Sequence, residues 1–354
     1  MRLTDLCPHP IIQGPMAGGA NTPAMVAAVS NAGGLGSLGA SLLAPNVIKA
    51  QVEQIRSLTD KPFAINLFVQ ETPQPIAEIV AQAAGLLEPV WRELGMPHLT
   101  VPEKWCEDFA AQFAMLLELK PAVASFTFNI LQFEQVQALH EAGILVVGTA
   151  TTLAEAEAWQ ALGADAAVAS GIEAGGHRGT FLVPQGEATL SVWDLAKQVC
   201  PALQIPVILA GGMMDGKDIA AALKLGAQAV QMGTAFLVTE ESGIHAAYKQ
   251  RLIDCAAMLN LANPTRQTRA FSGRYARGLE NRFMAIMQEA EMQVPAYPVQ
   301  NALTGSIRAH AAKVGNTEFM SLWAGMQVAR ARPMPCAQLM QTLVQEWQAA
   351  SSTT

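Results

Sequence analysis

The sequence predicts a (β/α)8 barrel carrying a smaller helical cap, and three observations carry that prediction. Short apolar runs without polar alternation recur along the chain, as in strands buried on both faces of a parallel sheet. Helical patterns separate them, and several end in a glycine directly before the next run, where a left-handed C-cap lets a strand begin at once. The chain has 354 residues, of which 51% are hydrophobic and 14% charged, about half the usual charged share. Such a chain buries a large core and is not disordered. An open doubly wound sheet is the alternative that the same alternation admits.

In order, the apolar runs are residues 10–13 (PIIQ), 34–39 (GLGSLG), 62–68 (PFAINLF), 122–128 (AVASFTF), 144–148 (ILVVG), 164–169 (ADAAVA), 206–210 (PVILA) and 229–232 (AVQM). Helical spacing fills 22–31, 45–57, 132–142, 153–162, 190–199 and 216–225. Residues 71–117 follow the third run and are far longer than a normal crossover. After residue 240 the pattern reads as helices. The expected organisation is therefore a barrel from 1–70 and 118–240, a helical insertion at 71–117, and a helical substrate or cap region at 241–354. Both extensions leave from strand C-terminal ends, so they are expected to pack together over the barrel mouth.

Composition excludes several function classes. Lys and Arg number 22 against 29 Asp and Glu, a net charge of -7, which argues against a nucleic-acid partner. No charged residue lies between Asp5 and Lys49, but prolines, asparagines and glycines interrupt that stretch. It holds no apolar run of about 18–20 residues, and the first residues lack a signal-peptide pattern. A soluble, cytoplasmic protein is expected. The five cysteines are scattered and never spaced C-x-x-C, so buried reduced thiols are expected rather than zinc or disulfides.

Barrel logic places chemistry on the loops after the strands. The first, Gly14-Pro15-Met16-Ala17-Gly18-Gly19-Ala20, is small enough for backbone to approach something flat, or is simply a tight turn. Asn66 ends the third run with an amide that can donate and accept. The loops Ala210-Gly211-Gly212 and Gln231-Met232-Gly233-Thr234 follow the seventh and eighth runs. There, amide groups and a helix N-terminus make the usual barrel phosphate site. The sixth loop, Ser170-Gly171-Ile172-Glu173-Ala174-Gly175-Gly176-His177-Arg178-Gly179, places a histidine where it can titrate and move a proton; the bland reading is a structural turn. Arg266, Arg269, Arg274, Arg277 and Arg282 form a basic run that either makes salt bridges in the cap or draws an anion to the mouth. Tyr297 either faces a ligand or packs in the core.

These loops together resemble the nitronate monooxygenase family, formerly called 2-nitropropane dioxygenases. The resemblance spans nearly the whole chain and rests on Pro15-Met16-Ala17-Gly18, Asn66-Leu67-Phe68, Glu173-Ala174-Gly175-Gly176-His177-Arg178-Gly179, Ala210-Gly211-Gly212 and Gln231-Met232-Gly233-Thr234. It implies FMN, with the phosphate on Gly211, Gly212, Gly233 and Thr234 and the ring beside Pro15, Met16, Ala17 and Gly18. Asn66, Ser170, Gly175, Gly176, Gln231 and Met232 complete the implied cofactor set. His177 is the implied catalytic base, and Arg178 and Tyr297 the implied substrate contacts. The implied reaction oxidises a nitronate such as propionate 3-nitronate by O2 through a flavin semiquinone, giving a carbonyl compound and nitrite or related nitrogen oxides. Small-molecule partners, no nucleic acid, no membrane, no metal, and a monomer or homodimer follow from it.

Ser170, Asn301 and Gly305 depart from the family's usual residues, Ser170 where glutamine is common and the other two where side chains are larger. The nearest rival is an NAD(P)H-dependent FMN reductase of the same fold, acting on enoyl-acyl-carrier-protein or quinone. A non-redox flavin- or phosphate-binding barrel is the rival of a different class.

Overall fold

The computed structural model describes residues 5–257 and 263–352. Six strands come first: β1 (Ile11–Gln13), β2 (Gly36–Gly39), β3 (Phe63–Phe68), β4 (Val123–Thr127), β5 (Leu145–Ala150) and β6 (Ala166–Ser170). A two-residue strand β7 (Gly176–His177) precedes β8 (Val207–Ala210) and β9 (Ala229–Met232). All but β7 join one parallel sheet in the order β1-β9-β8-β6-β5-β4-β3-β2. A bridge between Ile12 and Leu35 closes it, with Gln13 N donating to Leu35 O at 3.0 Å and Leu35 N to Ile11 O at 3.0 Å. The ring is a (β/α)8 barrel, with its strands at the eight apolar runs.

The missing polar alternation now has a physical cause. Ile12, Leu35, Ala64, Val147, Val168 and Ile208 fill the barrel interior, while their neighbours Ile11, Ile65, Val146 and Leu209 pack outward under the helices. Both faces of the barrel strands are therefore largely dry, and each fully buried Ile, Leu or Val contributes about 1.5–3 kcal/mol.

Helices α1 (Pro23–Asn31) and α2 (Pro45–Leu58) begin the outer ring. Thr22 caps α1 by accepting from Met25 N at 3.1 Å. The excursion after β3 holds α3 (Ala77–Leu86) and α4 (Glu88–Glu93). The chain rejoins the ring with α5 (Phe109–Leu119), α6 (Phe133–Glu141), α7 (Leu153–Leu162), α8 (Val192–Ala202) and α9 (Gly216–Lys224). The short α10 (Thr234–Leu237), then α11 (Ala246–Ala257), α12 (Arg282–Ile286), α13 (Val299–Leu303), α14 (Gly305–Lys313) and α15 (Cys336–Ser352) follow. Among the described residues no helix is long and apolar enough to cross a membrane.

The structure departs from the sequence reading in three places. Residues after 240 are not all helical: β10 (Thr265–Thr268) and β11 (Ala276–Leu279) pair antiparallel, and β11 also pairs with β7. The last helix, expected in the cap, instead packs between α9 and α1 in the barrel ring. There Glu346 accepts from Gly216 N at 3.0 Å and from Arg332 at 2.5 Å. Likewise α5, most of which falls in the expected insertion, lies on α2, with Lys49 and Glu118 paired at 2.7 Å. The remaining excursion meets the C-terminal region through an ion pair between Glu93 of α4 and Arg282 of α12.

Candidate active site

A cavity of about 410 Å³ opens at the strand C-terminal mouth of the barrel. One end is a cradle of small residues, Gly211, Gly212, Gly233 and Thr234, joined by Gly325 and Gln327. Gly211 and Gly212 have φ of 117° and 73°, backbone that only glycine adopts without strain. The α9 N-terminus, expected to complete this cradle, is already occupied. Asp215 accepts from Lys217 N and Asp218 N at 2.9 and 3.1 Å, and Asp218 accepts from Met214 N at 2.8 Å. The cradle is therefore made by the two glycine turns and the start of α10.

Another part of the cavity is edged with uncharged polar groups. Pro15, Met16, Ala17 and Gly18 form one wall, and Asn66, Ser125, Thr127, Thr149, Ser170 and Gln231 the facing edge. The loop wall is fixed by Asn21, whose Oδ1 accepts from Met16 N and, at 3.2 Å, from Gly39 N. A Cβ on Gly39 would stand 2.7 Å from Ala17 N, so only glycine lets β2 come so close to this loop. Asn66 is buried and donates to Ser125 O at 3.1 Å, Ser125 Oγ at 3.0 Å and Thr127 Oγ1 at 3.3 Å.

The far end is an aromatic box around His177. Its ring centroid lies 5.5 Å from Phe128, 5.6 Å from Tyr297 and 5.5 Å from Trp323. The imidazole Nε2 lies 2.9 Å from Ser272 Oγ, and that hydroxyl lies 3.0 Å from the Arg274 carbonyl. A carbonyl only accepts, so all three groups are satisfied when Nε2–H donates to Ser272 and Ser272 donates onward, leaving Nδ1 as the basic nitrogen. Burial, reinforced by the positive charges of Arg274 and Arg308, pushes the His177 pKa down to about 3. The histidine is therefore uncharged near pH 7, with Nδ1 open to a proton but only weakly basic.

A family model for nitronate monooxygenase matches residues 1–346. The chain belongs to the nitronate monooxygenase family. A Pseudomonas aeruginosa nitronate monooxygenase is 43% identical over 345 residues, 96% of each chain. The solved nitroalkane oxidase from Streptomyces ansochromogenes superposes with a TM-score of 0.90 at 40% identity, covering 99% of both chains. The FabK structure from Thermotoga maritima is more distant, with a TM-score of 0.76 and 28% identity over 99% of this chain and 97% of that one. As a nitronate monooxygenase family member, the protein is an enzyme and an oxidoreductase.

Two residues of the family-implied set do not face the cavity. Arg178 is 1% exposed and donates to Gly171 O at 2.7 Å, Ser170 O at 3.2 Å and Ala188 O at 2.9 Å. Side chains alternate along a strand, so the residue after an inward-facing His177 turns away. Arg178 braces the histidine loop from outside the cavity wall. Met232 is likewise absent from the wall, because its side chain packs outward in the core while its carbonyl accepts from Gly14 N at 2.8 Å.

Nor does the basic run reach the cavity. Arg266 pairs with Glu280 and Glu291, and Arg282 with Glu93. Arg269 Nε donates to Gly273 O at 3.3 Å, Arg277 donates to Ile172 O at 3.1 Å, and Arg274 lies 4.2 Å over the Phe128 ring. Sequence reasoning missed Ser272, Phe128, Trp323 and Arg308, all at the His177 end. Ser272 sits inside the basic run that was read for charge alone, and Arg308 carries no local motif. Among the described residues no cluster of three or more His, Cys, Asp or Glu could hold a metal ion.

Proposed function

We propose that this family member oxidises nitronates by O2 with FMN as its cofactor, releasing a carbonyl compound and nitrite or related nitrogen oxides. The observation that carries the reading is a neutral His177 in an aromatic box, in the same cavity as a glycine cradle suited to phosphate. The donor set suits FMN. Gly211, Gly212, Gly233 and Thr234 would hold the phosphate by backbone amides, as at other barrel phosphate sites. Pro15, Met16, Ala17 and Gly18 would lie against the ring face. Asn66, Ser170, Gly175, Gly176 and Gln231 would meet its polar edge and flank. Bound FMN would supply the electron-transfer chemistry.

The chain's own residues bind the anion, exclude water and manage one proton. Phe68, Phe128, Tyr297 and Trp323 dry the space around His177. A neutral nitroalkane entering there would lose its α-proton to His177 Nδ1, while Ser272 holds Nε2–H and fixes the tautomer. A preformed nitronate would need no such step.

The test is anaerobic mixing of the yellow purified protein with ethyl nitronate, NADH or NADPH. Nitronate alone is expected to change the flavin spectrum. The 28% likeness to FabK over nearly the whole chain favours a second reading, a pyridine-nucleotide-dependent reductase. Bleaching by NADH or NADPH with no response to nitronate would establish that reading instead.

A further inference from the structure

Beyond His177 the cavity wall carries Arg308 of α14, and among the lining residues it is the one permanently charged side chain; no Asp or Glu lines the cavity. Its guanidinium is only partly used. Nη2 donates to Asn301 O at 2.7 Å and to Asn301 Oδ1 at 3.1 Å, whereas Nε is buried with no hydrogen bond. No carboxylate among the described residues pairs with it. The neighbouring Tyr297 hydroxyl is also buried and without a partner. Both residues line the cavity, and a guanidinium with donors to spare beside an unpartnered hydroxyl suits a wall that receives an acceptor. Other buried arginines here, Arg178, Arg274 and Arg277, turn onto backbone carbonyls outside the cavity.

We propose that Arg308 and the Tyr297 hydroxyl form an anion-receiving subsite for a planar two-oxygen group of the substrate, either the nitronate oxygens or a carboxylate on the same molecule. The idea rests on the nitronate reading for its substrate but not for its binding chemistry. Arg308 also repels a proton from His177. An anion seated on the guanidinium would cancel that repulsion, so the base would strengthen once substrate is in place.

Butyrate and 1-nitropropane have nearly the same shape and differ in charge, which isolates the anion. Their dissociation constants for the holoenzyme can be read from the change in tryptophan fluorescence on titration, and the KM for propyl 1-nitronate from oxygen consumption. In Arg308→Met, an anion is expected to bind at least 10-fold more weakly, with 1-nitropropane within twofold of the parent. Loss for the nitronate alone assigns the nitronate oxygens, and loss for butyrate alone assigns a carboxylate. Arg308→Lys, which keeps the charge and a donor for Asn301, should recover part of the affinity. Tyr297→Phe should weaken the anions a few-fold without disturbing the fold. Unchanged binding of both anions in Arg308→Met, or equal weakening of 1-nitropropane, would overturn the subsite. Arg308-dependent butyrate binding in a protein that ignores nitronates would reject the activity and retain the subsite.

Discussion

At the scale of single residues, the site turns on how the protein keeps His177 uncharged. His177→Ala is expected to retain the flavin and lose roughly 10²–10⁴-fold in turnover of neutral nitroalkanes, with nitronate turnover better preserved. Equal loss on both substrates would refute its role as base. Its pKa of about 3 in the folded chain lies below the ordinary value near 6.5, which fixes a sign for stability. The unfolded chain takes up the proton first, so stability contributed by neutral His177 is complete above about pH 6.5 and falls as pH drops towards 3. Urea midpoints between pH 7.5 and 4.5 should decline less steeply in His177→Gln than in the parent. The histidine itself was legible in the sequence, because a titratable ring in a glycine-rich loop has little structural purpose. Ser272 and Arg308 were not, since their roles come from partners 95 and 7 residues away that only folding brings within reach.

At the scale of elements, the sequence disclosed what is local and hid what is paired at a distance. Eight strands were legible because dry faces leave unbroken apolar runs. The sheet of β7, β10 and β11 was not, because β7 has two residues and β10 reads Thr-Arg-Gln-Thr. Neither carries a run long enough to declare a strand. Two elements offer direct tests. Gly39→Val should push the Pro15–Gly18 wall off β2 and abolish cofactor retention while the barrel still folds; the flavin-to-protein absorbance ratio after purification measures this. On α7, Glu155 is fully buried and accepts from Thr151 N and Thr151 Oγ1 at 2.7 Å, Phe181 N at 2.5 Å and Leu182 N at 3.0 Å. Glu155→Leu leaves those donors without a partner and should cost on the order of 3 kcal/mol in urea unfolding. A change below about 1 kcal/mol would show that the loop after the histidine repairs itself.

At the scale of the whole molecule, the low share of charged residues is the signature of a barrel wrapped around a dry site. The barrel was legible as a repeat, but the place of the last helix was not, since periodicity says that α15 is amphipathic and not which surface it covers. Removing residues 336–352 should uncover α1 and α9, and the shortened chain is expected to lose its single cooperative unfolding transition and bind the dye ANS. Retention of both the transition and the cofactor would show that the ring closes without it. The same contact sets a timetable. A ribosome adds about 5–20 residues per second, so the Gly14–Gly18 loop emerges well before the helix that locks its side of the ring. During that interval the loop already has Asn21 and Gly39 beside it, but α1 behind it lacks its cover. Because the cavity is also lined by Trp323, Gly325 and Gln327 near the end of the chain, cofactor capture is expected to follow synthesis, and a cell short of the cofactor would accumulate finished but empty chains rather than stalled ones.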